Sequence, residues 1–263
     1  MWRQKAERLK KSLTEEGWSK RVEIRFLGRW SSNLIAGERN VSFLLDDKIA
    51  FDFGPHTLEA LLDSRVDPNK IDRVLISHMH LDHYVGVAEL LWYRSIHEAE
   101  DPLLIVGPEG IRGNTLKLMD LVQTPPLWNK SQIEKKIEFV ENQDFDSVKI
   151  FHSSHTVPSV GYRVDYEGKT IFYSGDTSYS KEVVRGATNA DILIHEMTYT
   201  DEKKDIANYW GHSTYSDVLR VFEESSAAQL VPVHFTRESS EYVKRRLSEI
   251  QRLIYPPDTL TLI

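Results

Sequence analysis

The segment His78-Met79-His80-Leu81-Asp82-His83 constrains this chain more than any other feature. It sets three imidazoles and a carboxylate directly after the strand-like run Val74-Leu75-Ile76-Ser77. A flexible turn after a strand can aim His78 and His80 at one ion, while Asp82 and His83, opening the next helix, aim at a second. The chain has no cysteine, so disulfides, thiolate sites and zinc fingers are excluded. Any metal must be held by imidazole and carboxylate.

The surroundings of this loop read as an α/β or α+β chain with mixed sheets. Strands are expected over 22–27, 41–45, 49–53, 72–77, 103–106, 137–140, 148–152, 161–166, 170–174, 191–195 and 229–234, and helices over 57–64, 82–98, 112–122, 214–225 and 239–252. Asp46-Asp47 and Glu167-Gly168 look like hairpin turns. The polar residues of interest follow apolar strands: Asp52 after Ile49-Ala50-Phe51, His78 after Val74–Ser77, and His155 after Val148–Phe151 with a short bend. Asp176 follows Thr170–Gly175, Glu196 follows Ile192–His195, and His234 follows Leu230–Val233. In layered α/β folds the carboxyl ends of strands share one rim, where ligands bind. Residues 1–21 are expected to form an amphipathic helical extension with Leu9 and Leu13 on one side, and 22–263 one catalytic domain.

Here a resemblance becomes specific. From about Val22 onward the chain resembles the metallo-β-lactamase superfamily, within it the branch of ribonuclease Z and related phosphodiesterases. That family follows its HxHxDH loop with a lone His, a bridging Asp and a final His, each at a strand end. The matching residues are His155 in His155-Thr156-Val157-Pro158-Ser159-Val160-Gly161, Asp176 in Ser174-Gly175-Asp176-Thr177, and His234 in Val233-His234-Phe235. His152 is the nearest rival to His155, and the Pro158–Arg163 context favours His155. The resemblance implies a four-layer αβ/βα sandwich with two mixed β-sheets and two divalent metal ions. One ion takes His78, His80 and His155, the other Asp82, His83 and His234, and Asp176 bridges them, with hydrolysis by a hydroxide shared between the ions. Zinc suits such ligands best, with manganese or iron as alternatives.

Three further residues join Asp82 as candidate catalytic groups. Asp52 resembles the family's acidic residue that orients a ligand histidine. His212 in Gly211-His212-Ser213-Thr214 resembles the extra histidine of the ribonuclease Z branch, and Glu196 resembles its carboxylate partner. His212 also precedes Thr214-x-x-Asp217, a capping-box pattern whose nearby backbone N–H groups would favour a phosphate. His56, His97, His152 and His195 match no ligand position and read as surface or strand-end residues.

Two departures bear on substrate. Ribonuclease Z enzymes usually carry a long, basic, tRNA-gripping arm between the lone His and the bridging Asp, whereas the interval from His155 to Asp176 holds only two strands and a turn. The loops Gly28-Arg29-Trp30-Ser31-Ser32 and Ala36-Gly37-Glu38-Arg39-Asn40 also differ from the family's glycine-rich and proline-bearing loops. A formal net charge of −7 argues against broad electrostatic attraction to nucleic acid. The expected function is therefore a metal-dependent phosphodiesterase that cleaves a P–O bond in a small molecule or at an RNA end. The alternatives are tRNA 3′-end processing, lactone or thioester hydrolysis, and RNA binding with structural metals. No run approaches the ~18 apolar residues of a membrane span, so a cytoplasmic protein is expected, and family habit suggests a homodimer.

Overall fold

A computed structural model of the chain describes residues 21–121 and 134–263. The expected N-terminal helix lies outside these residues. The chain builds two mixed sheets. The first contains β1 (Val22–Gly28), β2 (Ser42–Leu45), β3 (Ile49–Phe51), β4 (Arg73–Leu75), β5 (Leu103–Gly107), β6 (Ile137–Glu141) and the C-terminal β12 (Thr259–Leu262), in the order β12-β1-β2-β3-β4-β5-β6. The second contains β7 (Val148–His152), β8 (Val160–Tyr166), β9 (Lys169–Tyr173), β10 (Ile192–Glu196) and β11 (Gln229–Val233), in the order β11-β10-β9-β8-β7. Strands β3 to β6 run parallel, as do β9 to β11, while the hairpins β2–β3 and β8–β9 are antiparallel. The parallel strands deliver their carboxyl ends to one rim in each sheet.

Local chemistry explains the hairpins. Asp46 and Asp47 both take positive φ, as do Glu167 and Gly168, the backbone that two-residue turns need to match strand twist. All eleven expected strands form. The twelfth, Thr259–Leu262, has only 4 residues, two Thr and two Leu, and it pairs with β1 at the sheet edge.

Helices cover the outer faces, giving four layers. On the first sheet lie α1 (Thr57–Asp63), α2 (Leu81–Tyr84), α3 (Val87–Ile96) and α4 (Ile111–Leu121). On the second lie α5 (Lys181–Ala187), α6 (Lys204–Trp210), α7 (Tyr215–Ser225) and α8 (Arg237–Arg246). Three differences from expectation stand out. The helix expected over 82–98 is broken at Val85-Gly86, so the metal loop has its own short helix. The helix expected over 239–252 starts at Arg237, behind Thr236 and Ser239 in a capping box, and ends at Arg246. Helices α5 and α6, of 7 residues each, were not expected.

Between the sheets, Phe43 stacks on Phe51 at 4.4 Å and meets the edge of Tyr173 at 5.1 Å. Two buried tyrosines of the second sheet then reach across to the first. Tyr162 donates its hydroxyl to the Ile76 carbonyl at 2.6 Å, and Tyr173 donates to Asp52 Oδ2 at 2.6 Å. A backbone bond, Val160 N–H to Ser77 O at 2.9 Å, joins the sheets at the same level. Apolar burial holds the layers together, and these polar links set their register directly beneath the rim.

The break at Gly86 has a packing cause. A Cβ there would sit 2.2 Å from the Gly54 carbonyl oxygen, and one on Gly54 would sit 1.9 Å from the Asp82 carbonyl oxygen. The metal loop and the β3–α1 loop thus touch backbone to backbone. Gly86→Ala is expected to lower unfolding free energy by about 1–3 kcal/mol through overpacking. Gly113→Ala, in exposed α4 with open space around it, should raise it by about 0.5–1 kcal/mol. Urea denaturation of both variants checks this contrast.

Candidate metal centre and active-site pocket

The rim gathers the candidate residues from the carboxyl ends of β3, β4, β7, β9, β10 and β11 and from α2. His78, His80, His155 and Asp176 bring their ligand atoms within 4.8 Å of one another, as do Asp82, His83 and His234. Asp176 lies between the two groups: its Oδ2 is 3.6 Å from His78 Nε2, 3.4 Å from His83 Nε2 and 3.3 Å from His234 Nε2. His234 and Asp52 adopt left-handed backbone conformations. Residues held this way persist only where the surroundings enforce them, and they concentrate at functional sites.

Hydrogen bonds assign the imidazole tautomers. His83 Nδ1 meets Asp52 Oδ2 at 2.7 Å and His155 Nδ1 meets the Gly211 carbonyl at 2.8 Å. Both oxygens can only accept, so both Nδ1 atoms donate. Ser77 spends its hydroxyl proton on Asp52 Oδ2, and its oxygen therefore accepts from His78 Nδ1 at 3.0 Å. Each neutral ring then carries a lone pair on Nε2, directed into the cluster.

Lone pairs facing one another repel unless a cation lies between them. His83 Nε2 and His234 Nε2 are 3.2 Å apart, and His155 Nε2 and His80 Nδ1 are 3.3 Å apart. Two nitrogens bound to one tetrahedral zinc at about 2.0–2.1 Å lie about 3.3–3.4 Å apart. His78 Nε2 and Asp176 Oδ1 are buried without a hydrogen-bond partner among the described residues, a condition metal coordination would relieve. The donor set therefore fits two divalent ions. Burial holds the pKa of His78, His80 and His155 below the ordinary value, while His83 goes the other way. Burial works to lower the His83 pKa, but the carboxylates of Asp176, Asp52 and Asp82 drive it well above the ordinary value. Burial likewise opposes ionisation of Asp176, yet His234, His83 and His78 hold its carboxyl well below the usual range.

Two buried carboxylates brace the cluster. Asp52 Oδ1 accepts from Ser77 N at 2.7 Å, and Oδ2 accepts from Ser77 Oγ, Tyr173 and His83. Glu196 Oε1 accepts from Thr177 N at 3.0 Å, His212 Nδ1 at 2.9 Å and Ser213 N at 3.2 Å. Its Oε2 accepts from Thr198 N at 3.1 Å and Thr198 Oγ1 at 2.7 Å. Burial would lower the His212 pKa, but Glu196 outweighs it and raises the imidazole to about 9.

The helix start that follows His212 is not open to a phosphate. The start of α7 is already supplied with anions: Asp217 accepts from Thr214 N and Asp201 accepts from Ser216 N. Glu196 holds His212, as the resemblance implied, but these N–H groups are taken. The remaining histidines divide. His56, His97 and His152 are exposed, whereas His195 is fully buried, with Nδ1 2.7 Å from the Glu196 carbonyl. Ser77, Tyr173 and Thr198 were not singled out from sequence, because a lone hydroxyl next to a motif carries no periodic or spacing signal.

A pocket of about 350 Å³ opens over the cluster, with His80, Asp82, Asp176, His212 and His234 on its floor. Its lining also includes Ser31 and Ser32 from the altered first loop, with Asn33, Tyr199, Lys203 and Arg237. The altered second loop lies behind it: Asn40 Nδ2 donates to the Ser31 carbonyl at 3.0 Å, and Arg39 pairs with Asp63 at 2.6 Å. Among the described residues, no helix is long and apolar enough to cross a membrane.

Since Asp52 braces His83 directly and His78 through Ser77, Asp52→Asn should weaken metal affinity about 10- to 100-fold. Competition with a chromophoric chelator measures the change, and circular dichroism checks the fold.

Comparison with known proteins agrees with this architecture. Residues 49–235 match the family described as Beta-lactamase superfamily domain. Ribonuclease Z of Pyrococcus horikoshii is 28% identical over an alignment covering 90% of this chain and 94% of that protein. Human tRNase Z, short form, superposes with a TM-score of 0.74 at 25% identity, covering 92% of this chain and 98% of that one. The metallo-beta-lactamase fold protein YhfI from Bacillus subtilis gives a TM-score of 0.74 at 19% identity, with 92% and 99% coverage. The chain belongs to the beta-lactamase superfamily, in its ribonuclease Z-like branch, and is a metal-dependent hydrolase.

Proposed function

We propose that the chain is a phosphodiesterase that cleaves a P–O bond in the pocket over the two metal groups. His78, His80 and His155 would hold one ion and Asp82, His83 and His234 the other, with Asp176 shared. Zinc is the proposed metal, given ligands that are all imidazole nitrogen or carboxylate oxygen. Two such ions supply Lewis acidity toward a phosphoryl oxygen and lower the pKa of a bound water.

The observation that carries the reading is the His212–Glu196 pair. His212 lines the pocket floor with Nδ1 taken by Glu196 at 2.9 Å. Its ring is therefore fixed, and the opposite nitrogen is free to serve the substrate. From there it donates a hydrogen bond to a phosphoryl oxygen, or a proton to the departing alkoxide.

Ribonuclease Z-like cleavage of RNA is the second reading, and the named relatives favour it. Against it stands the interval between His155 and Asp176, where β8 and β9 are joined by the Glu167-Gly168 turn. That hairpin has no room for a substrate-gripping arm. A small phosphodiester or an RNA end suits a pocket of about 350 Å³ better than a large folded RNA.

The test is a screen of zinc- or manganese-loaded protein on bis-aryl phosphodiesters, cyclic nucleotides, precursor tRNA and lactones, with Asp176→Ala as the blank. His212→Ala should cost about 100- to 10,000-fold in phosphodiester turnover while retaining its metals. Unchanged turnover in that variant, or wild-type activity confined to lactones, rejects the proposal. Efficient precursor tRNA cleavage with no action on small diesters favours the second reading.

A further inference from the structure

The two buried carboxylates serve the cluster in the same way. Asp52 binds one imidazole directly, His83 at 2.7 Å, and a second through a hydroxyl: Ser77 Oγ lies 2.9 Å from Asp52 Oδ2 and 3.0 Å from His78 Nδ1. Glu196 binds His212 directly at 2.9 Å. Its other oxygen meets Thr198 Oγ1 at 2.7 Å, and Thr198 Oγ1 meets His234 Nδ1 at 2.8 Å. Thr198 is 3% exposed and Glu196 0%, so water does not compete for these contacts.

The direction of the chain of bonds follows from donor counting. An ionised carboxylate only accepts, and a hydroxyl has one proton to give. Thr198 gives its proton to Glu196 Oε2, so its oxygen must accept from His234 Nδ1. His234 then exposes the Nε2 lone pair toward Asp82, His83 and Asp176. The reverse tautomer would put a proton on the face where the cluster needs a donor atom, and would leave two acceptors in contact at 2.8 Å.

We propose that Thr198 is a positioning residue. Through it one carboxylate serves two histidines, His212 at the pocket and His234 in the metal centre. This inference rests on the metal centre described above but not on the identity of the substrate. Removing the hydroxyl frees His234 to rotate or change tautomer. Glu196 keeps His212, because Oε1 and its three donors are untouched, and the hydroxyl's loss removes only a long 3.4 Å contact to His212 Nδ1.

The experiment compares Thr198→Val, which removes the hydroxyl, with Thr198→Ser, which retains it, in full-length apo-protein titrated with zinc against a chelator. Two-bond ¹⁵N–¹H correlation of the histidine rings at one fixed pH reads the tautomers. Thr198→Val should bind one of two zinc equivalents about 10- to 100-fold more weakly and lose the Nδ1–H signature of His234 alone. Thr198→Ser should match wild type in both. Should Thr198→Val fail to fold by circular dichroism, Thr198→Ala makes the same deletion and is read in the same way.

Wild-type zinc affinity in the hydroxyl-free variant overturns the proposal, as does a serine variant that behaves like the valine one. Wild-type protein that takes up fewer than two equivalents overturns it together with the metal centre. The two proposals fail separately. Weakened zinc binding in Thr198→Val with no wild-type action on phosphodiesters removes only the proposed activity. Undiminished binding in that variant, with active wild type, removes only the role of Thr198.

Discussion

Five imidazoles and two carboxylates converge at the junction of the two sheets, and most of the polar architecture follows from keeping them there. Nitrogen lone pairs forced to about 3.3 Å in a buried site repel, so the cluster is self-consistent only around positive charge. Two divalent ions would supply it. The supporting shell is correspondingly dense. Asp52 and Glu196 each use both oxygens to accept from ring, hydroxyl and backbone N–H donors, and the Tyr173 hydroxyl crosses from the second sheet to reach Asp52.

The same constraint explains why the sheets are registered as they are. Burial of Phe43, Phe51, Tyr162 and Tyr173 would tolerate some sliding between layers, since apolar contact is non-directional. The bonds from Tyr162 to Ile76 and from Val160 to Ser77 do not. They fix β8 against the end of β4, within two residues of His78, so the core and the centre share one scaffold. The contact of Gly54 and Gly86 with neighbouring carbonyls performs the same service for Asp82 and His83.

Much of this was legible in the sequence. The hydrophobic alternation located eleven strands, and the Asp46-Asp47 and Glu167-Gly168 turns located two hairpins. The order of strand ends placed Asp52, His78, His155, Asp176, Glu196 and His234 on one rim. Less legible were elements whose existence depends on a partner. Edge strand β12 and the short helices α5 and α6 form where neighbouring surfaces receive them. The expected helix over 82–98 breaks at Val85-Gly86, where Gly86 packs on the Gly54 backbone some 30 residues earlier in the chain, a contact no local pattern records.

The sequence by itself therefore determined the ligand types, their placement after apolar strands and the exclusion of thiolate chemistry, because these depend on residue identity and local periodicity. Only the tertiary structure decided which ring nitrogen of each histidine faces the centre. It also showed that Asp217 and Asp201, not a phosphate, take the N–H groups at the start of α7, and that Ser77 and Thr198 stand between carboxylate and imidazole. Those outcomes are matters of donor and acceptor pairing across distant segments. A hydrogen bond is directional and short, so its partners are fixed only when the two sheets have closed on each other.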